Sequence, residues 1–397
     1  MTYILRPFRL DDVPAVNALC DWAWWPQRSA AGWAWLADGP PGARERGDAG
    51  PAGWVCELNG QVSAFLGNFV QRFHFGTKVV RGATGHTFLA HPRAKGAGRM
   101  VLRALAEQPD RFSIYLFNAN AVSSGHYRHY ALEAWPVATH AVKYSWWVDL
   151  PGVIHERLLW RYNRLRGFDG VRAGGERFIS NRLRKGGVSR LQPGVRLLFE
   201  QEVDGRFDGL WARLQEDGRL LAARDSATLR WRLADPDLTL RPVILGYEHE
   251  GRLAGYLMAY FSKQTEIDQP CLDIVDLIAP AEHEATAIPA LVRTLVDNAR
   301  DLGVARVRLQ TVSPVLDTIL AGMPGAQRQM THGHCHARFA PDVDPAMAAA
   351  WQPTPYDGDY AFCLRPPPLG ESQEADTKTA APKGGRFRLD TRRVQAP

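Results

Sequence analysis

The sequence predicts an α/β protein of two tandem domains, each a mixed, mostly antiparallel sheet flanked by helices. Three observations carry this expectation. The chain has 397 residues, enough for two domains at about 100–200 residues each. Its 45% hydrophobic and 23% charged residues are the proportions of a globular protein. A pattern also recurs at half the chain length: Ser29, Ala30, Leu36, Ala37 and Asp38 return 197 residues later as Ser226, Ala227, Leu233, Ala234 and Asp235. One repeat at that period means two copies of a domain rather than a solenoid.

Each half reads in the same order. A first strand, near 2–8 and again near 195–201, leads into a helix whose apolar residues fall at helical spacing, as in Val13, Val16 and Leu19. A second, tryptophan-rich helix follows. Then comes a hairpin, in which Asn59-Gly60 and Glu250-Gly251 supply a positive-φ turn between two alternating strands. A further strand (83–90; 272–279), a helix (98–107; 285–301) and another strand (112–118; 304–311) precede a last α-β segment. The predicted boundaries are 1–150 for the first domain, 151–194 for a basic helical linker, 195–365 for the second domain and 366–397 for a disordered, proline-rich, polar tail.

Composition excludes several classes. No apolar run approaches the ~20 residues of a membrane helix, and 1–10 lack the apolar core and cleavage site of a secretory signal. Five scattered cysteines (20, 56, 271, 335, 363) make no disulfide framework or CxxC zinc pair and suit a reducing cytoplasm. The net charge of +6 comes with no nucleic-acid-binding signature, so no nucleic acid or membrane partner is expected. Residues 156–196 hold eleven basic against three acidic residues. That is either a solvated helix with an arginine face or a docking face for an anionic partner: coenzyme phosphates, an acidic carrier protein or an acidic peptide. His332-Gly-His334-Cys-His336 offers three imidazoles, but neighbours on one strand reach one tetrahedral centre poorly, so no metal is expected.

The informative stretch runs Phe88-Leu-Ala-His91-Pro92-Arg93-Ala94-Lys95-Gly96-Ala97-Gly98-Arg99. A strand enters a short loop, two glycines let the backbone approach a ligand, and an amphipathic helix begins with its amides and dipole aimed at one spot. Arg93, Lys95 and Arg99 add full charges, which makes a pyrophosphate cradle. Neither a Walker loop nor GxGxxG is present.

Arg93-x-x-Gly96-x-Gly98 in this setting resembles the coenzyme A loop of the GCN5-related N-acetyltransferase family. The opening Tyr3-Ile-Leu-Arg-Pro-Phe-Arg, the strand Ser113-Ile-Tyr-Leu-Phe-Asn-Ala-Asn120 and the helix end Tyr130-Ala-Leu-Glu-Ala134-Trp135 resemble further family features, across about 1–150. Ala94, Ala134 and Trp135 depart from the usual Gly, Gly and Phe. At the corresponding place the second half reads Ala279-Pro-Ala-Glu282-His-Glu284, with acids where a pyrophosphate would sit. The second copy is therefore expected to be degenerate.

The resemblance implies direct attack of an amine on acetyl-CoA or a longer acyl-CoA, without an acyl-enzyme. It implies coenzyme contacts from Leu89, Ala90, Arg93, Ala94, Lys95, Gly96, Ala97, Gly98 and Arg99, with Asn118 and Asn120 for the pantetheine or the acceptor. Its usual acid matches Tyr130, with Tyr127 one turn away. Candidate bases are His86 on the fourth strand and Glu57 on the hairpin. Trp22, Trp24, Trp25 and Trp33 border the expected acceptor pocket, where clustered aromatics suit an apolar acyl chain or peptide. The expected acceptor is a small-molecule amine, a natural product or a peptide side chain. Rival readings are a non-catalytic acyl-CoA sensor and a transferase fed by charged tRNA or an acyl carrier protein.

Overall fold

The computed structural model describes residues 2–364 apart from 24, 49, 167–185, 264–267 and 311–312. The expected tail at 366–397 and residues 167–185 of the expected linker lie outside the described residues. Two sheets dominate.

The first sheet begins with β1 (Tyr3–Pro7), β2 (Gly53–Leu58), β3 (Gln61–Phe75) and β4 (Lys78–Ala90), all antiparallel neighbours. The β2–β3 turn places Asn59 and Gly60 at φ 53° and 80°, as the sequence expects. Helices α1 (Val13–Ala23) and α2 (Ala30–Asp38) pack on one face, and Ser29 caps α2 by accepting the Gly32 amide. On the other face lies α3 (Ala97–Ala106), which buries Val101, Leu102 and Leu105. β5 (Ser113–Leu116) pairs in parallel with β4 only at Gly82–Thr84, although β4 runs on to Ala90. The two strands therefore part and leave a wedge open beside α3. After it come α4 (Ala121–Tyr127), β6 (Glu133–Ala134), β7 (Val142–Trp147) and α5 (Leu150–Arg166).

The second half repeats the order. β8 (Val195–Leu198), α6 (Gly205–Glu216), β9 (Leu220–Ala222) and α7 (Ser226–Leu233) lead to the hairpin of β10 (Val243–His249) and β11 (Arg252–Ser262). Its turn residues Glu250 and Gly251 have φ 49° and 73°. Then follow β12 (Cys271–Ile278), α8 (Glu284–Ala299), β13 (Arg306–Leu309), α9 (Pro314–Ala321), β14 (Gln327–Met330), β15 (His336–Phe339) and α10 (Pro345–Ala349).

The sheets do not divide the chain at residue 150. β7 leaves the first half and lies between β13 and β14 of the second sheet, with Trp147 opposite Arg306 and Lys143 opposite Gln329. Reciprocally, β15 inserts between β5 and β6 of the first sheet, with His336 opposite Leu116 and Ala134. Each half donates its late strand to the other, so neither sheet is complete without both halves.

The halves also share a core. Trp351 is the hub of an aromatic cluster, 5.0 Å from the Tyr115 ring, 5.3 Å from Phe73 and 4.5 Å from Trp135 between centroids. Beside it lies a buried ionic network. Arg224, fully buried, pairs with Asp276 at 2.9 Å and Asp357 at 3.2 Å. Arg232 lies 3.7 Å over the Tyr356 ring and donates to Gln71 at 2.7 Å. Arg28 binds Asp235 at 2.6 Å and Trp35 stacks on Trp231 at 4.2 Å, which joins α2 to α7. All five cysteines are free thiols. Among the described residues, no helix is long and apolar enough to cross a membrane.

Candidate active site

The cradle forms where the sequence places it. Gly96, at φ 97°, caps α3 in a backbone region that side chains disfavour, and a Cβ there would meet open space. A Cβ at Gly98 would press on Ala90 at 3.3 Å and Phe88 at 3.4 Å. The Tyr3 hydroxyl donates to the Lys95 carbonyl at 2.9 Å and anchors the loop to β1. The Ala94, Ala97, Arg99 and Met100 amides donate to loop carbonyls, and the Arg93 amide to His91 Nδ1. Those of Lys95, Gly96 and Gly98 find no acceptor among the described residues. Arg93, Lys95 and Arg99 are exposed and, among the described residues, carry no ion pair. Three unfilled donors, three cations and a helix N-terminus fit a pyrophosphate. Ala90 faces α3, whereas Leu89 turns into the core under α1 and α2.

The equivalent loop in the second half is filled by its own side chains. Asp217 accepts the Ala281 amide at 2.9 Å, and Arg219 bridges Asp217, Glu284 (2.6 Å) and the Ala279 carbonyl (2.8 Å). Two carboxylates and a guanidinium thus fill this loop.

At the wide end of the wedge is a cavity of about 280 Å³. Its walls come from both halves: Trp25 after α1, Asn118 after β5, Lys143 on the exchanged β7, Gln310 after β13, His332, and Cys363 near the end of the described chain. Above it β4 bulges at Thr87, whose φ of 51° breaks the register between Phe65 and Gly67. The Thr87 amide points at the Cys363 sulfur.

Behind Cys363 lies Asp359, on which the sequence reading placed no role. Its Oδ2 accepts from the Cys363 thiol at 3.5 Å and its carboxylate from the Phe117 amide, while Oδ1 has no partner among the described residues. Burial pushes this carboxyl up to about 7 and holds the Cys363 thiol well above its usual range. Nothing local marks Asp359 in the sequence. It reaches the site only because the chain returns there some 230 residues after the wedge is built.

Tyr127 and Tyr130 separate clearly. Tyr127 is buried at the end of α4, its ring 6.4 Å from Phe88 and 5.4 Å from His336, and it feels the charges of Asp359 and Cys363. Burial raises its phenol, so it stays protonated and able to donate. Tyr130 sits in the next turn and donates to the Arg99 carbonyl at 2.8 Å, which ties α4 to the start of α3.

Several expected residues are engaged elsewhere. His86 is buried against Trp33 (5.8 Å, stacked) and beneath Gly67, where any Cβ would strike it; burial, with Arg28 nearby, lowers it to about 3. An imidazole that resists a proton so strongly is a poor base, and it does not line the cavity. Glu57 is held by Arg6 at 2.5 Å on β2. Asn118 and Asn120 both line the cavity, and Asn120 also caps α4 by accepting the Val122 and Ser123 amides. Of the tryptophans, Trp25 lines the cavity, Trp33 is core, and Trp22 is half exposed beside His91 (5.3 Å). Trp24 lies outside the described residues. The three clustered histidines go separate ways: His332 to the Ala119 carbonyl, His334 to the Gln310 carbonyl and His336 to Ser124. Among the described residues no group of His, Cys, Asp and Glu could hold a metal ion.

Comparison with known proteins adds the class. No protein-family model and no curated protein matches the chain. Solved structures do. A conserved protein of unknown function from Enterococcus faecalis V583, described as a probable N-acyltransferase, superposes with a TM-score of 0.51 at 13% identity, over 85% of this chain and 73% of that one. A GCN5-related N-acetyltransferase from Kribbella flavida gives 0.49 at 17%, over 88% and 74%. The likeness is one of fold: the chain shares the fold of the Enterococcus faecalis protein described as a probable N-acyltransferase. Within that class it is a mixed α/β chain of two mostly antiparallel sheets flanked by helices.

Proposed function

We propose that the chain is an N-acyltransferase that takes an acyl group from acyl-CoA and passes it to a primary amine held in the cavity at the end of β5. The observation that carries this reading is the pairing of one open cradle with one filled one. The Lys95, Gly96 and Gly98 amides await an anion, while Asp217 and Arg219 close the equivalent loop. Acyl-CoA would supply an activated thioester, with its pyrophosphate on that loop and its pantetheine in the wedge between β4 and β5.

The chain's own groups have three tasks. An alkylammonium of pKa about 10 must lose a proton before it can attack. Cys363 lines the cavity and Asp359 lies behind it, so the thiol takes the amine's proton as it hands its own to the carboxylate. Tyr127, kept protonated by burial, gives a proton to the departing thiolate. The developing oxyanion needs a donor, which a β4 amide beside the bulge, other than the Thr87 amide already turned to Cys363, would supply.

The test follows release of free coenzyme A thiol from acetyl-CoA and octanoyl-CoA with a panel of primary amines, and titrates each thioester onto the full chain. Saturable binding with amine-dependent release is expected, and the preferred thioester defines the donor. Binding without turnover would make the chain a sensor. No binding of either thioester would remove the reading.

A further inference from the structure

A second cavity, of about 300 Å³, adjoins the first and shares Lys143 and Gln310 with it. It lies on the outer face of the second sheet. Lys143, Ser145 and Trp147 alternate along β7 and so project to one side. The intervening Val142, Tyr144 and Trp146 fill the core on the other side. Four cations line this cavity, Lys143, Arg157, Arg306 and Arg308, and no acid does.

Two of the four are fixed from behind. Arg306 is held by the buried Glu156 at 2.6 Å, and Arg308 by Asp273 at 2.6 Å. The other two have no counter-ion among the described residues: Arg157 rests 4.3 Å over the Trp147 ring, and Lys143 makes no side-chain hydrogen bond or ion pair. A buried hydroxyl is unsatisfied at the same place. Ser145 Oγ has no partner among the described residues, and the residue is 8% exposed. Arg157 is exposed to solvent, but Lys143 is half-buried, and an unpartnered buried hydroxyl beside that ammonium is a costly arrangement that an anion relieves.

We infer that this cavity binds an anionic group of the acceptor, a carboxylate or a phosphate, while the acceptor's amine lies in the adjoining cavity beside Cys363. The inference rests on the N-acyltransferase reading and narrows it to an acceptor that carries both an amine and an anion. The exchanged strand β7 supplies Lys143 and the chain just past β13 supplies Gln310, the two residues common to both cavities, so selection of the acceptor depends on the second half as well as the first.

The test uses the full chain. Glutarate and inorganic phosphate are titrated calorimetrically. Acyl transfer from acetyl-CoA is compared for 6-aminohexanoate against its neutral amide and for O-phosphoethanolamine against ethanolamine. One of the two anions is expected to bind, which identifies the group. The matching charged amine is expected to exceed its neutral partner about tenfold in kcat/KM, the effect of one charge-assisted contact. Lys143→Gln and Arg157→Gln should each weaken anion binding about tenfold and bring that ratio toward one, and Lys143→Arg should restore both. Equal rates within both pairs would overturn the inference and leave the acyltransferase reading intact. Anion binding lost in these variants, in a protein that binds neither acetyl-CoA nor octanoyl-CoA, would retain the anion pocket and remove the acyltransferase reading.

Discussion

Gly96→Glu tests the cradle directly. A side chain at φ 97° costs about 1–2 kcal/mol of strain, but nothing stands within 4 Å of the new Cβ, so the loop keeps its shape. The added carboxylate then competes for the same three amides. At about 4–5 Å from a phosphate and an effective dielectric near 20, the repulsion is about 3–4 kcal/mol, or roughly 300- to 1000-fold in affinity. A ligand at ~100 times its Kd stabilises by about 2.7 kcal/mol, which for both halves unfolding as one unit is roughly 3–5 °C in Tm. The same concentration on Gly96→Glu should give almost no shift. Gly96→Ala is the control: it carries the strain without the charge, so its Tm should fall by a few degrees while most of the acyl-CoA shift remains. Thermal unfolding of the three proteins with and without acetyl-CoA decides the matter. A full shift in Gly96→Glu would refute the cradle as the coenzyme site.

Further outcomes follow from the same structure. Asp359 binds a proton in the folded chain up to about pH 7, whereas an ordinary carboxyl loses it near 3.8, so stability falls as pH rises between these values. Asp359→Asn should remove that slope in Tm from pH 4 to 8, and with it the rise of kcat with pH through about 7; identical profiles would show that Asp359 is not the base. Tyr127→Phe should lower kcat about 100-fold, while Tyr130→Phe should cost about 1 kcal/mol of stability and leave kcat within a few-fold, both read by kinetics and denaturant unfolding. Arg224→Leu leaves Asp276 and Asp357 buried without their cation and should cost about 3–5 kcal/mol in denaturant unfolding; a loss under 1 kcal/mol would mean that the network relaxes. A fragment of residues 1–150 lacks β15 and exposes β7, so it should fail to give a cooperative unfolding transition.

What the sequence by itself determined is what a few neighbouring residues encode. Asn59-Gly60 and Glu250-Gly251 adopt left-handed turns because no more than the dipeptide is needed. The recurrence of the same elements in both halves, and the Arg93–Arg99 cradle, are equally local, since each rests on a short pattern and the start of one helix. Tertiary structure decided everything that depends on residues far apart in the chain. Strand pairing is set by which edge is free when the halves dock, so the exchange of β7 and β15 has no signature in either strand. Burial sets proton affinity, and a histidine or a carboxylate in a sequence carries no mark of its depth. His86 thus reads as a base and is sealed beneath Trp33, whereas Asp359 reads as a polar residue near a tail and lies behind the cavity. Tyr127 and Tyr130, three residues apart, are told apart only by what their hydroxyls meet: for Tyr130 the carbonyl of Arg99, for Tyr127 the Ser123 side chain in a buried setting.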